Sequence, residues 1–201
     1  MTWPDRVLLA LIYAPALPAL LLLLGWWGSL LLALDTWVPV AALTGLAVGV
    51  LLDLALFRGW MAAGYRMPQA VMALLYVLYS VCLFGFLMGV PVGNILPGLL
   101  AGVYAARRAS AEGLDRARAV AYLRRVAWFC VLVLALACMA SAALALRDPY
   151  TSDNLRGMLG LSFKVTAAMV YGLILVGGGL LLVAEYWLVK CVGLKTLAAQ
   201  R

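Results

Sequence analysis

Residues 84–108 read FGFLMGVPVGNILPGLLAGVYAARR, and this stretch decides how many times the chain crosses a membrane. It is apolar, yet Pro91, Gly93, Asn94, Pro97 and Gly98 fall within eight residues. In hydrocarbon every backbone N–H and C=O needs a partner, so interrupted backbone is tolerated only where protein or water covers it. The stretch therefore predicts either a tight corner between two helices or a ligand-binding site at a broken helix.

The composition is that of an integral membrane protein. The 201 residues are 67% hydrophobic and 11% charged, whereas soluble domains average about 45–50% apolar and roughly 25% charged residues. This length accommodates about six spans of ~20 residues with short loops, so residues 1–201 are predicted to form one polytopic domain. A cleavable signal peptide is not expected, because the apolar run 7–27 exceeds the about 7–15 residues of a typical signal sequence core.

Six apolar segments predict a bundle of six transmembrane helices in an all-α protein. They are residues 7–27, 37–57, 68–90, 95–106, 126–146 and 162–189. The fourth is short, because its 12 residues give ~18 Å of helix against a hydrocarbon core of ~30 Å. Its length alone is also compatible with a re-entrant half-helix.

The distribution of cations favours a fourth crossing. With six crossings and a cytoplasmic N-terminus, both termini lie inside, and 12 cations face the cytoplasm against 3 outside. The inner set is Arg6, Arg58, Arg66, Arg107, Arg108, Arg116, Arg118, Arg124, Arg125, Lys190, Lys195 and Arg201; the outer set is Arg147, Arg156 and Lys164. Without the fourth crossing, the six arginines of residues 107–125 would move outside and the asymmetry would disappear. This pattern predicts the cytoplasmic (inner) membrane and explains the net charge of +7 without a nucleic-acid partner.

Residues 109–125 are predicted to form a basic, amphipathic cytoplasmic loop. Ser110 is the expected N-cap of a short helix, in which Glu112 and Arg116 pair at i,i+4. A basic amphipathic helix at this position predicts contact with anionic lipid headgroups. Docking of a partner protein is the alternative.

Two carboxylates are predicted to lie inside the spans. Asp53 follows Gly45 and Gly49 at four-residue intervals, so all three share one helix face. Small residues at this spacing allow close helix packing, and the similar pair Gly98 and Gly102 is the suggested partner face.

The second carboxylate is Glu185, in the last apolar segment. Ionisable groups within a membrane usually mark a pathway or an ion pair. Asp53 and Glu185 are therefore candidates for an ion or proton pathway. Because each lies five residues from a cation at the predicted cytoplasmic boundary, the alternative is structural ion pairing with Arg66, Arg107, Arg108 or Arg125.

The corner at residues 91–98 is the predicted ligand site. A helix that begins near Ile95 presents unpaired N–H groups and its positive dipole end outward. Asn94 is expected to cap this helix or to offer its amide to a ligand. The alternative is a plain turn, with Asn94 as N-cap and Pro97 in the first helical turn.

Catalysis and metal binding lack a sequence signal. The chain has no His, and its four Cys form no C-x-x-C pair. We therefore expect no enzyme activity, no cofactor and no metal site. The pattern favours a small transporter, channel or substrate-capture subunit that binds a solute or ion near the broken helix and assembles with other membrane or ATPase subunits. The alternative is a non-transporting assembly or accessory subunit of a larger membrane complex.

Overall fold

The computed structural model describes residues 2–87, 89–158 and 160–200, and the protein is 86% helical with no strand in those ranges. The described residues form nine α-helices. These are α1 (Trp3–Tyr13), α2 (Ala16–Leu31), α3 (Val38–Ala63), α4 (Gln69–Phe86), α5 (Ile95–Ala111), α6 (Arg116–Arg147), α7 (Thr151–Met158), α8 (Ala167–Gly172) and α9 (Gly178–Ala198). Short 3₁₀ turns lie at Asp35–Trp37, Gly64–Arg66 and Pro91–Asn94, and a π-helical turn, Leu173–Gly177, joins α8 to α9.

Among the residues that the structure describes, five helical stretches have the length and apolarity to span a membrane. They are Trp3–Leu31, Asp35–Arg66, Gln69–Phe86, Arg116–Arg147 and Ala167–Ala198. Many large apolar side chains on these helices are exposed, including Leu31 (85%) and Phe86 (82%), as a surface that faces lipid requires. The protein is thus a helical membrane protein, and the predicted all-α class is confirmed.

The predicted fourth segment, residues 95–106, lies within α5 and is not among those five stretches. The helix continues to Ala111 and has 17 residues, which is longer than the 12 predicted. At 1.5 Å per residue it is ~26 Å long, close to the thickness of a hydrocarbon core. The extension arises because Arg107 and Arg108 remain helical, although they end the apolar run.

The chain divides into two compact units, Met1–Cys82 and Leu83–Arg201. In the first unit α2 and α3 pack as an antiparallel pair. The backbone of Gly25 lies against the Ala41 carbonyl, Gly45 lies against the Leu21 carbonyl, and Gly49 lies against Pro18. These glycines let the two backbones approach, which is how helices commonly pack in lipid.

The first span is broken into two helices. Its single predicted segment, residues 7–27, becomes α1 and α2, which end at Tyr13 and begin at Ala16. The cause is Pro15, which has no N–H to continue the ladder and whose ring crowds the preceding turn. Near this break, the Tyr79 hydroxyl donates a hydrogen bond to the Ile12 carbonyl.

The second unit contains α5, α6 and α9, which pack against one another. Its buried positions on α6 recur at helical spacing, at Leu123, Ala127, Cys130 and Leu134. On α5 the contact face carries small residues, among them Ala105 and Ala106, so the neighbouring helices lie close.

Residues 109–125 are shared between two helices. Ala109 to Ala111 end α5, and Arg116 to Arg125 begin α6. Ser110 lies inside a helix, and the N-cap of α6 is Asp115, which accepts a 2.8 Å hydrogen bond from the Arg118 N–H. The region is thus mostly helical, because the helical ladder runs on beyond the apolar residues.

Glu112 has a different ion-pair partner from the one predicted. Its Oε1 lies 2.7 Å from Nε of Arg108, one turn earlier, rather than against Arg116. Burial lowers the pKa of the Arg108 guanidinium, whereas its hydrogen bond to Glu112 and neighbouring groups raise it, and the net pKa lies above the ordinary value. The guanidinium thus stays charged at the end of α5.

Candidate functional site

Glu185 lies in a space that Gly98 leaves open. Its side chain, on α9, is fully buried (0% exposed). A Cβ atom built on Gly98 of α5 would lie 2.6 Å from the Glu185 Cδ and 2.8 Å from Oε2, which are separations that real atoms do not adopt. The carboxylate therefore occupies the position of a side chain on α5, and any larger residue at position 98 would require the Glu185 carboxylate to move.

The adjoining turn of α5 brings three predicted site residues to the same place. Asn94 is the N-cap residue of α5 and is 1% exposed, while Pro97 and Gly98 are buried in the first helical turn. The Asn94 side chain forms no capping hydrogen bond, in contrast to the predicted cap. Because a helix N-terminus carries partial positive charge, this turn is a favourable neighbour for the Glu185 carboxylate.

The remaining corner residues form a closed turn. Pro91 and Gly93 lie in a 3₁₀ turn, and a side chain at Gly93 would collide with Cδ1 of Leu87. Gly89 adopts φ +82°, a left-handed conformation that glycine reaches without strain. The spaces beside Gly93 and Gly98 are thus filled, by Leu87 and Glu185 respectively.

One turn further along α5, Gly102 contacts backbone. A Cβ atom there would lie 2.6 Å from the Val189 carbonyl oxygen of α9. Gly98 and Gly102 therefore both face α9. The suggested pairing of this face with Gly45 and Gly49 is wrong, since those residues lie against α2.

Asp53 belongs to the first unit and has a separate environment. It is 7% exposed, and its Oδ1 atom is fully enclosed without a hydrogen-bond donor among the described residues. No cationic side chain of the described ranges lies within 4.0 Å of it, and Arg66, one predicted ion-pair partner, is not in contact. The Tyr79 hydroxyl is an electrostatic neighbour of this carboxylate.

The position of the first span relative to α3 is a feature of the first unit that the sequence did not predict, and in the structure Pro18 lies against Gly49. Pro15 and Pro18 each lack an N–H for the helical hydrogen-bond ladder, but their position relative to α3 depends on the register between α2 and α3. That register rests on Gly25, Gly45 and Gly49, whose neighbours cannot be identified from one helix alone.

Metal-binding clusters of three or more His, Cys, Asp or Glu residues are absent from the described ranges. The arrangement instead offers buried carboxylates, Glu185 beside the first turn of α5 and Asp53 on α3. Comparison with known proteins gives no relative: neither a protein family, nor a curated protein, nor a solved structure matches the chain.

Proposed function

We propose that this protein is a small membrane transport component, a transporter, channel or substrate-capture subunit, that binds a small ion or solute within its helices. The observation that carries the proposal is the full burial of Glu185 against Gly98. An ionisable side chain inside a membrane protein is costly and usually serves a pathway, a relay or a binding site.

The surroundings of Glu185 favour a small ion or a proton over a larger solute. Leu87 fills the space beside Gly93, and the carboxylate itself fills the space beside Gly98. A ligand at this corner must therefore be small or must displace one of these side chains. The first turn of α5, with its positive dipole end, holds the carboxylate in place between binding events.

The proposed topology has six crossings, with α5 as the fourth and both termini in the cytoplasm. Its length of 17 residues suits a crossing with slight thinning of the bilayer. The charge asymmetry of 12 inner against 3 outer cations supports this topology and the cytoplasmic membrane as the location. Arg201, one of the twelve, lies outside the described residues.

The cytoplasmic ends of α5 and α6 are proposed to contact anionic headgroups. Arg116, Arg118, Arg124 and Arg125 are exposed on α6, and each cation near an anionic surface contributes about 1 kcal/mol. We also propose that the protein is not an enzyme and that it assembles with other membrane or ATPase subunits.

Proteoliposomes test the role of Glu185. Purified protein is reconstituted with an entrapped dye that is sensitive to the ion under test, and gradients of Na⁺, K⁺ or H⁺ are imposed in turn. We expect a protein-dependent flux that Glu185→Gln reduces at least about tenfold, because Gln keeps the shape but loses the charge. Asp153→Asn, on the short helix α7 outside the spans, is the matched control.

Equal flux through the Glu185→Gln variant and the wild type would refute the proposed role of the carboxylate. A variant that is as stable as the wild type in detergent, yet inactive, separates a functional role from a structural one. Absence of any protein-dependent ion flux would favour solute capture or the alternative below.

The alternative is an assembly or accessory subunit, and the close packing of the corner favours it. Gly102 lies against the Val189 backbone, and the space beside Gly93 is filled, as in a rigid helical scaffold. Affinity purification from native membranes tests this alternative. Recovery of one stoichiometric membrane complex, together with absence of flux, would support assembly over transport.

A further inference from the structure

The contacts between α2 and α3 fix the position of Asp53 along the first span. The two helices are antiparallel, and Gly45 meets Leu21 while Gly49, one turn later, meets Leu17 and Pro18. Each four-residue step along α3 thus corresponds to a four-residue step back along the first span. Continuing this spacing by one turn would place Asp53 level with Tyr13 and Ala14, where α1 ends.

A second observation gives the same location. The Tyr79 hydroxyl donates a hydrogen bond to the carbonyl of Ile12, in the last turn of α1. The same hydroxyl is an electrostatic neighbour of Asp53. This electrostatic interaction agrees with the location that the glycine contacts of α3 give.

The helix break after α1 leaves backbone carbonyl oxygens without their usual N–H partners. A carbonyl in an α-helix is normally covered by the N–H four residues later. Pro15 has no N–H for the Leu11 carbonyl, and Pro18 has none for the Ala14 carbonyl. The last carbonyls of α1 also carry the negative end of the helix dipole, which attracts cations.

We propose that Asp53 and the broken end of α1 form a binding site for a small monovalent cation of the size of Na⁺. The inference rests on the proposed function, since it names an ion that the transport component takes. The enclosed Oδ1 atom of Asp53 has neither a donor nor a cationic partner among the described residues. A bound cation neutralises this carboxylate, and nearby carbonyl oxygens supply the neutral ligands that such an ion requires.

A sodium ion suits these groups better than a proton alone does. A proton occupies one carboxylate oxygen and uses none of the carbonyls that the prolines leave uncovered. Unwound backbone carbonyls and the carboxyl ends of half-helices are the usual ligands of Na⁺ in membrane transporters. The Tyr79 hydroxyl oxygen, with its proton directed to Ile12, remains available as an acceptor.

Equilibrium binding of ²²Na⁺ to the purified full chain in detergent tests the inference. We expect saturable binding, and a melting temperature that is higher in NaCl than in choline chloride at equal ionic strength. Asp53→Asn is expected to weaken binding at least about tenfold, since it removes the charged ligand. Asp148→Asn, in the connection after α6, is the control and is expected to bind as the wild type does.

Pro18→Ala provides a second variant, in case Asp53→Asn fails to fold. It keeps the Cα atom that contacts Gly49 and restores an N–H to cover the Ala14 carbonyl. We expect weaker Na⁺ binding with an intact melting transition. Equal melting temperatures of the wild type in NaCl and choline chloride would overturn the site, and so would full ²²Na⁺ binding by both variants. Stability that depends on pH but not on sodium would indicate that the site takes a proton instead.

The outcome is separable from that of the flux assay. Sodium binding at Asp53 together with flux that Glu185→Gln leaves unchanged would overturn the proposed role of Glu185 and leave this site standing. Flux without sodium binding would overturn the site and leave the transport function standing.

Discussion

Replacement of Gly102 by Ala tests the packing of α5 against α9 most directly. The new methyl group would lie 2.6 Å from the Val189 carbonyl oxygen, whereas real Cβ atoms essentially never approach within 3.0 Å. The helices must therefore separate by at least 0.4 Å along this contact. Because the obstacle is backbone, no change of rotamer relieves it.

The magnitude follows from two opposing terms. An alanine stabilises a helix interior by about 1 kcal/mol relative to glycine, whereas overpacking costs typically about 1–3 kcal/mol. Gly59→Ala is the matched control, since it lies inside α3 with nothing within 4 Å of the added atom. Both variants share the propensity gain, so their difference reports the contact alone. We expect Gly102→Ala to be less stable than the control by about 2 kcal/mol, roughly 30-fold in the folding equilibrium.

Unfolding of both variants in mixed detergent micelles, titrated with SDS and followed by tryptophan fluorescence, measures this difference. Equal midpoints for Gly102→Ala and Gly59→Ala would refute the reasoning, because they would mean that α5 and α9 do not approach at Gly102. A lower midpoint in both variants would instead indicate a general intolerance of added volume in lipid.

Two further predictions concern hydrogen bonds. Arg108→Ala should destabilise the protein by about 1–3 kcal/mol in the same titration, since its largely buried guanidinium donates a hydrogen bond to Glu112. The control is Arg118→Ala, which removes an exposed ion pair with an N–O distance of 4.0 Å and should change stability by less than about 0.5 kcal/mol. Tyr79→Phe should cost about 1 kcal/mol by removing the hydrogen bond to the Ile12 carbonyl, and it should speed hydrogen exchange at the end of α1; unchanged exchange there would contradict this.

The sequence predicted the class of the fold from composition alone. A chain in which apolar runs of about 20 residues alternate with charged ends has no stable alternative to helices in lipid, because only they pair their own backbone groups locally. The ends of the helices were harder to predict from the sequence. At Arg107 and Arg108 the apolar run stops but the hydrogen-bond ladder does not, so α5 continues to Ala111.

The candidate sites could be predicted only as separate residues. Glu185, Asn94 and Gly98 were each visible as unusual residue types inside apolar segments, since polarity and glycine spacing are local properties. Their contact was not visible, because it depends on which helix faces which. The structure places the Glu185 carboxylate in the gap beside Gly98, so the predicted corner meets one of the two predicted pathway residues, whereas Asp53 belongs to the first unit.

The sequence by itself therefore determined that residues 84–108 contain a helix break, and the tertiary structure decided what that break holds. Backbone rules that act within a few residues, such as the missing N–H of Pro91 and Pro97, are readable from one chain segment. Which side chain fills the space beside Gly98 is set by packing between helices far apart in sequence. Gly98 and Glu185 meet because α5 and α9 approach closely, and that proximity is a property of the folded protein alone.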